Sequence, residues 1–163
     1  MALTGTTRRR RAAAMSAQQL AALRGNTFGA LAMLIVQFAI GSVVNLYATI
    51  PAKDKNSGIF SAIGGALANG PVSLAAHAGL GLLIVLAAAA LVVRSIVTRH
   101  TASIVLSVIG FTAIVSAALN GARFVADGGP ANASLAMALS TALAMLCYAT
   151  DLLLLGFSRS PSD

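Results

Sequence analysis

The chain is 163 residues long, 58% hydrophobic and only 9% charged, with a mean hydropathy of +0.87. An ordinary soluble domain carries about 25% charged residues, so a normal water-facing surface is excluded, as is disorder, and a single cysteine, Cys147, excludes a disulfide scaffold. The net charge of +7, from 11 Lys and Arg against four Asp and no Glu, would point to nucleic acid in a soluble protein; here the charges lie between apolar stretches, so they report membrane topology and imply no nucleic-acid partner.

In chain order, residues 1–27 read as a basic cytoplasmic tail. It holds the run Arg8 to Arg11 and a short amphipathic stretch, Ala12 to Arg24, which either lies on the membrane surface or belongs to a disordered tail. The basic run is too far from the first apolar run, and that run too long, for a signal peptide. Four stretches are then long enough for a bilayer core, which needs roughly 20 helical residues. They are Phe28 to about Ile50, Val72 to Val93, Ala102 to about Phe124, and Ala133 to Phe157. Pro51, Pro71 and Pro130 fall just outside them, where helix boundaries belong. Alternation of period 2 is absent, which argues against a β-barrel. Between the first two spans, the Gly- and Ser-rich loop Ala52 to Gly70 contains a short interfacial helix over Ile59 to Leu67. Residues 158–163 form a second short tail. The expected fold is all-α: a polytopic membrane protein with an up-down four-helix transmembrane bundle and the lipid bilayer as its first partner.

Charge placement orients the bundle. Arg8, Arg9, Arg10, Arg11, Arg24, Arg94, Arg99 and Arg159 fall on one side, and Lys53, Lys55 and Arg123 on the other, eight against three. The positive-inside rule puts both termini in the cytoplasm. Lipid provides no hydrophobic drive for helix association, so small-residue pairs such as Ala75-x-x-x-Gly79, Ala117-x-x-x-Gly121 and Ala136-x-x-x-Ser140 predict close helix approach.

Polar residues inside the spans are costly and carry the functional signal. Asn45, His77 and Asn120 lie at matched depths, with Arg123 beside them, and predict one polar layer near the outer boundary; span four meets it near Met137 and Ala138. His77 reads either as a metal or haem ligand or proton-exchanging group, or as a neutral histidine bonded to Asn45 or Asn120. Arg123 reads as an anion binder or as a side chain snorkelling to the surface. Gln37, in mid-span, predicts a helix cross-link. Asp151, deep in span four, predicts an ion pair or proton relay with Arg94. Cys147 predicts plain apolar packing. No catalytic motif and no metal-ligand set is present. His77 and His100 are 23 residues apart, roughly 35 Å along a helix, so a haem held by His77 would take Met137 or a second protomer as its other ligand.

Gln37-x-x-x-Gly41 in span one, His77 opening span two and Arg94 after it resemble one four-helix half of the haem A synthase family. In that family, histidines at helix ends ligate haem, and the resemblance implies such a role for His77. The whole chain also resembles small four-span membrane proteins of high-GC bacteria, with Ala-rich helices and an Arg-rich N-terminus, which implies a bacterial inner membrane. Three functions follow as expectations. The first is a non-enzymatic accessory or scaffold component with a membrane-protein partner or a second copy of itself. The second is a haem-binding or electron-transfer protein centred on His77. The third is a small-solute or proton transporter using His77, Asp151 and Arg123.

Overall fold

The computed structural model describes residues 17–47 and 58–157, and all of its regular structure is helical. The Arg8–Arg11 run, Lys53, Asp54, Lys55 and Arg159 lie outside the described residues. Helix α1 runs over Ala17–Tyr47, α2 over Ile59–Asn69, α3 over Val72–Thr98, α4 over Thr101–Ala126 and α5 over Ala131–Phe157. Helices α1, α3, α4 and α5 are long and apolar enough to cross a membrane. They form an antiparallel four-helix bundle in which α1 packs on α3 and α5, and α4 packs on α3 and α5. The α4–α5 seam is the most extensive.

The first span starts earlier than its sequence suggests. Helix α1 is unbroken from Ala17, and Leu23 and Thr27 are fully buried, while Phe28 is exposed. The Ala17–Arg24 part of the amphipathic stretch is therefore the first turns of a bundle helix and not a separate surface element. Arg24 is compatible with this because it stands on the exposed face, where a long cationic side chain can reach a headgroup region. The short helix of the loop is present as α2 and packs across α3 and α4, burying Ala62, Gly65 and Ala66. It closes one end of the bundle, called here the α2 end. The opposite end holds the hairpin between α3 and α4, made by Arg99 and His100 alone. Arg99 takes a left-handed conformation with φ 56° and returns its N–H to Ile96 O.

The cross-section fits lipid. Large apolar side chains such as Leu46, Leu86, Val97, Leu139, Leu146 and Leu153 face outward. Water tolerates no apolar surface of that extent. The interior sets small residues, among them Ala30, Ala88, Ala113 and Ala144, between larger ones such as Leu91 and Tyr148, and the small residues let the helix backbones come close. Two apolar clusters result. The larger runs from Leu23 and Leu155 at the hairpin end to Leu34, Ile84 and Ile114. The smaller, at the α2 end, joins Val44, Ala62, Ala66, Leu74, Val125 and Ala126.

Glycines set how the seams interlock. A Cβ at Gly110 of α4 would lie 2.6 Å from Tyr148 Cε1 of α5, and one at Gly121 would lie 3.3 Å from Met137 Sδ. Eleven residues separate each pair along its helix, in opposite chain directions, which fixes α4 and α5 in antiparallel register. Of the small-residue pairs, Gly121 and Ser140 lie on this seam, with Ser140 Oγ donating to Ser116 Oγ at 3.2 Å. Gly79 instead faces Leu67 of α2. Cys147 packs inside the larger cluster.

Because the Tyr148 ring fills the place of a Cβ, Gly110→Ala is expected to destabilise the bundle by about 1–3 kcal/mol through overpacking. Gly156 has nothing within 4 Å of a built Cβ, so Gly156→Ala is expected to be neutral or stabilising, by about 0.5–1 kcal/mol, because alanine loses less entropy in a helix. Thermal unfolding of both variants in one mild detergent checks the contrast; equal losses would refute the slot at Gly110.

Candidate functional site: a cavity at Gln37 and His77, and a buried carboxyl at Asp151

The α1–α3 seam repeats the glycine arrangement with polar side chains. His77 of α3 lies over Gly41 of α1: a Cβ there would meet His77 Cε1 at 2.8 Å. One turn away, Gln37 of α1 lies over Gly81 of α3, where a Cβ would meet Gln37 Nε2 at 3.1 Å. Each helix thus offers one polar side chain and, four residues on, the glycine that admits its partner's. Gln37 Nε2 donates to His77 O at 3.0 Å and lies 3.4 Å from His77 Nε2. The cross-link expected of Gln37 is therefore present, and its partner is His77.

This joint borders a cavity of about 230 Å³. Its walls draw on both apolar clusters, with Leu34, Ile84 and Ile114 on one side and Val44, Ala66 and Leu74 on the other. Gly41, Asn45, Met137 and Thr141 also line it. Among the described residues that line it, none is charged. Two polar atoms at the joint, His77 Nδ1 and Gln37 Oε1, are buried without a hydrogen-bond partner among the described residues.

The expected polar layer divides in two. Asn45 and His77 border the same cavity, as does Met137, but Asn45 bonds elsewhere: its Oδ1 accepts from Ser134 Oγ of α5 at 2.9 Å. Asn120 donates back to Ser116 O in its own helix at 2.8 Å. Asn120 and Arg123 line a separate shallow depression beside Ile59. The physical reason is azimuth. One residue of helix is a rotation of about 100°, so Gly121 turns toward the cavity while Asn120, at nearly the same depth, turns away from it.

A second cluster sits near the hairpin end. Asp151 of α5 is 0% exposed. Ser103 Oγ of α4 donates to its Oδ1 at 2.5 Å, and Thr27 Oγ1 of α1 reaches its Oδ2 at 3.1 Å. His100 caps α4: its Nδ1 accepts from Ser103 N at 3.3 Å and lies 2.9 Å from Ser103 Oγ. The expected pairing of Asp151 with Arg94 is not what forms. Arg94 is exposed and turns to Asn26 of α1; with the Asn26 amide oriented oxygen-inward, that oxygen accepts from Nε at 3.1 Å and Nη1 at 2.8 Å. Hydroxyls on two neighbouring helices fit beside a buried carboxyl without bringing a second charge out of water. Thr27 and Ser103 were not among the sequence candidates, although both sit at the depth of Asp151, one near the start of α1 and one near the start of α4.

The order His100–Ser103–Asp151 contains the residue types of a nucleophilic triad in the wrong arrangement. In a triad, histidine stands between serine and carboxylate and takes the serine proton. Here serine stands in the middle, is fully buried and directs its hydroxyl at the carboxyl, so it is no nucleophile. The serine's one hydroxyl proton goes to Asp151 and His100 Nδ1 accepts from Ser103 N, so Ser103 ties the hairpin cap to the bundle interior through its backbone and its side chain. Among the described residues, no three His, Cys, Asp or Glu side chains converge as metal ligands would.

Fold and site together define a multi-pass helical membrane protein whose bundle carries a half-open cavity, with no charged side chain among its described lining residues. Comparison of the chain with protein-family models, with curated proteins and with solved structures gives no match.

Ser103 touches both Asp151 and His100, so Ser103→Ala is expected to cost about 1–3 kcal/mol. Thr27→Val removes one of these bonds and should cost about 1 kcal/mol. Arg94→Ala should cost less than either, since an exposed cation contributes at most about 1 kcal/mol. Melting of the three variants in one detergent tests the order, and a larger loss for Arg94→Ala would restore the Asp151–Arg94 pair.

Proposed function

We propose that the chain is a non-enzymatic component of a bacterial inner membrane, an accessory or scaffold protein with both termini in the cytoplasm. The observation that carries this reading is the use of the intramembrane polar groups. Gln37 with His77, Asn45 with Ser134, Thr27 and Ser103 with Asp151, and Ser116 with Ser140 each join two helices. None presents an activated nucleophile or an acid and base facing a common reactant. The bacterial membrane and the orientation rest on the Arg-rich N-terminus, the Ala-rich helices and the eight-to-three division of Lys and Arg.

Two other readings fare less well against the geometry. Haem handling at His77 is favoured by one observation: His77 and Met137 line the same cavity. The donor set does not fit the group. Haem carries anionic propionates, none of the described lining residues is Lys or Arg, and Met137 Sδ packs against Gly121 on the far seam. Transport through His77, Asp151 and Arg123 would need one path through all three. Instead, His77 borders the cavity, Asp151 sits near the opposite end of the bundle, and Arg123 lies on an outer face.

An accessory component assembles with something. Native electrophoresis of gently solubilised membranes should therefore show the chain in a species well above its own 16.3 kDa, and migration as a lone monomer would overturn the reading. A C-terminal alkaline phosphatase fusion should be inactive, because that reporter needs the outer compartment; full activity would reverse the orientation. The purified protein should show no Soret band.

A further inference from the structure

The shallow depression on the outer face of α4 stacks different chemistry in order of depth. Thr112, Ser116, Asn120 and Arg123 recur every three or four residues and so share one face of the helix; with Val115, Leu119 and Ile59 they border the depression. Toward the bundle middle it is apolar. Leu119 is 47% exposed, Val115 lies on the same face, and the Thr112 hydroxyl is taken up by Val108 O at 2.9 Å. Nearer the α2 end, Asn120 gives one amide hydrogen to Ser116 O at 2.8 Å, and its second amide hydrogen remains available to donate. Beyond it, Arg123 is exposed in the last turn of α4. Its guanidinium has no hydrogen-bond or ion-pair partner among the described residues, Asp127 included. Thr112 and Arg123 are 11 residues apart, about 16 Å along a helix and thus half of a bilayer core about 30 Å thick.

We propose that this face of α4 binds one anionic phospholipid from the leaflet at the α2 end, with the phosphate at Arg123, an ester carbonyl at Asn120 and an acyl chain along Leu119, Val115 and Thr112. The order of groups along the helix is the order of groups along a lipid: charge outermost, hydrogen-bond acceptors beneath it, hydrocarbon deepest. The length of the face is that of one leaflet. An anionic head is selected because Arg123 brings a full charge and five donors, and a guanidinium matches the geometry of a phosphate. A zwitterionic head carries its own counter-charge and gains less. Ile59, the first residue of α2, borders the same depression. The first turn of α2 has no acidic residue and no side-chain cap, so its amide N–H groups also favour an anion nearby. Asp127 caps α4 beyond Arg123, on the water side of it. A free phosphate would answer Arg123 and leave the apolar half of the face unmatched. A helix of another protein would need a carboxylate of its own at the depth of Arg123, whereas the bilayer supplies phosphate there already. The proposal goes beyond the accessory role and depends neither on it nor on the orientation of the termini.

The chain contains no tryptophan, so Leu119→Trp, at a half-exposed position, places a single fluorescent reporter in the apolar part of the face. The full chain carrying it is reconstituted into phosphatidylcholine vesicles with graded fractions of a lipid brominated on its acyl chains, either phosphatidylglycerol or phosphatidylcholine. Bromine quenches indole fluorescence on contact. We expect brominated phosphatidylglycerol to quench at lower mole fractions, with an association about fivefold stronger, the ratio one basic side chain beside an anionic lipid supplies. Arg123→Gln should bring that ratio to one. Arg24→Gln, which removes an exposed cation on α1 near the opposite end of the bundle, should leave it unchanged. Equal quenching by the two lipids, or an equal fall in both variants, would overturn the proposal and leave only general surface attraction. Absence of quenching by either lipid would overturn it in favour of protein covering the face. Loss of the preference on adding inorganic phosphate would overturn it in favour of a free anion. Should Arg123→Gln fail to fold, the comparison of the two brominated lipids decides alone. Failure here leaves the accessory reading standing, while a monomer in native electrophoresis leaves this site standing.

Discussion

The bundle depends on large side chains lodged over glycines. In lipid, burying leucine against leucine gains little, because acyl chains are as apolar as the side chains they replace. What remains is close packing and interhelical hydrogen bonding. Gly110 admits Tyr148, Gly121 admits Met137, Gly41 admits His77 and Gly81 admits Gln37. The first two pairs set the register of α4 against α5, and the last two set α1 against α3. In each case the absent Cβ is the space the partner side chain uses. Large aliphatic residues such as Leu46, Leu86 and Leu153 are therefore free to face outward, while the interior mixes alanine, serine and threonine with Leu23, Ile84 and Leu91.

Hydrogen bonds add specificity to that packing without adding charge. The α1–α5 seam is pinned near both ends, by Ser134 with Asn45 at the α2 end and by Thr27 with Asp151 at the other. Each such bond is modest, averaging about 0.6 kcal/mol in membrane proteins. A slipped register would strand Asp151, Asn45 or Gln37 against hydrocarbon, and an unmade buried bond costs more than a made one contributes. Asp151 shows why the partners are hydroxyls. Pulling Arg94 inward would desolvate a second charge, whereas Ser103 and Thr27 are already at the seam. Arg94 stays exposed and serves the start of α1 through Asn26.

The four spans were legible because each is a long apolar run bounded by proline, glycine or charge, and α2 was legible because Ile59 to Leu67 is apolar within a polar loop. The start of α1 was not. Arg24, Gln18 and Gln19 lower the hydropathy before Phe28, yet one face of that turn carries Leu23 and Thr27 into the core. Depth could be counted along each helix, which is why Asn45 and His77 were expected in one layer. Azimuth could not, because the alanine-rich helices are apolar on every face and show no contrast to orient them. Asn120 was therefore assigned to the interior beside Gly121, and Gln37 was given no particular partner. The Gln37-x-x-x-Gly41 and His77-x-x-x-Gly81 spacings were a usable signal, since two antiparallel helices with one such motif each can interlock only with each polar residue over the other's glycine.

These demands are not met at every joint of the bundle. Toward the hairpin end Asp151 has two hydroxyl partners, while Tyr148 Oη, beside Gly110, is buried with no hydrogen-bond partner among the described residues. Nearer the α2 end the helices border a half-open cavity, and the joint beside it leaves His77 Nδ1 and Gln37 Oε1 without partners among the described residues. Packing for stability alone would replace that joint, because leucines at both Gln37 and His77 would remove its orphan atoms and fill volume. Keeping both polar residues, with two glycines to seat them, costs the bundle cohesion in the half that α2 covers. Such a cost is the usual mark of a functional place in an otherwise consistent fold. On this reasoning the Gln37–His77 joint, seated over Gly41 and Gly81, is a place in the bundle where cohesion is given up.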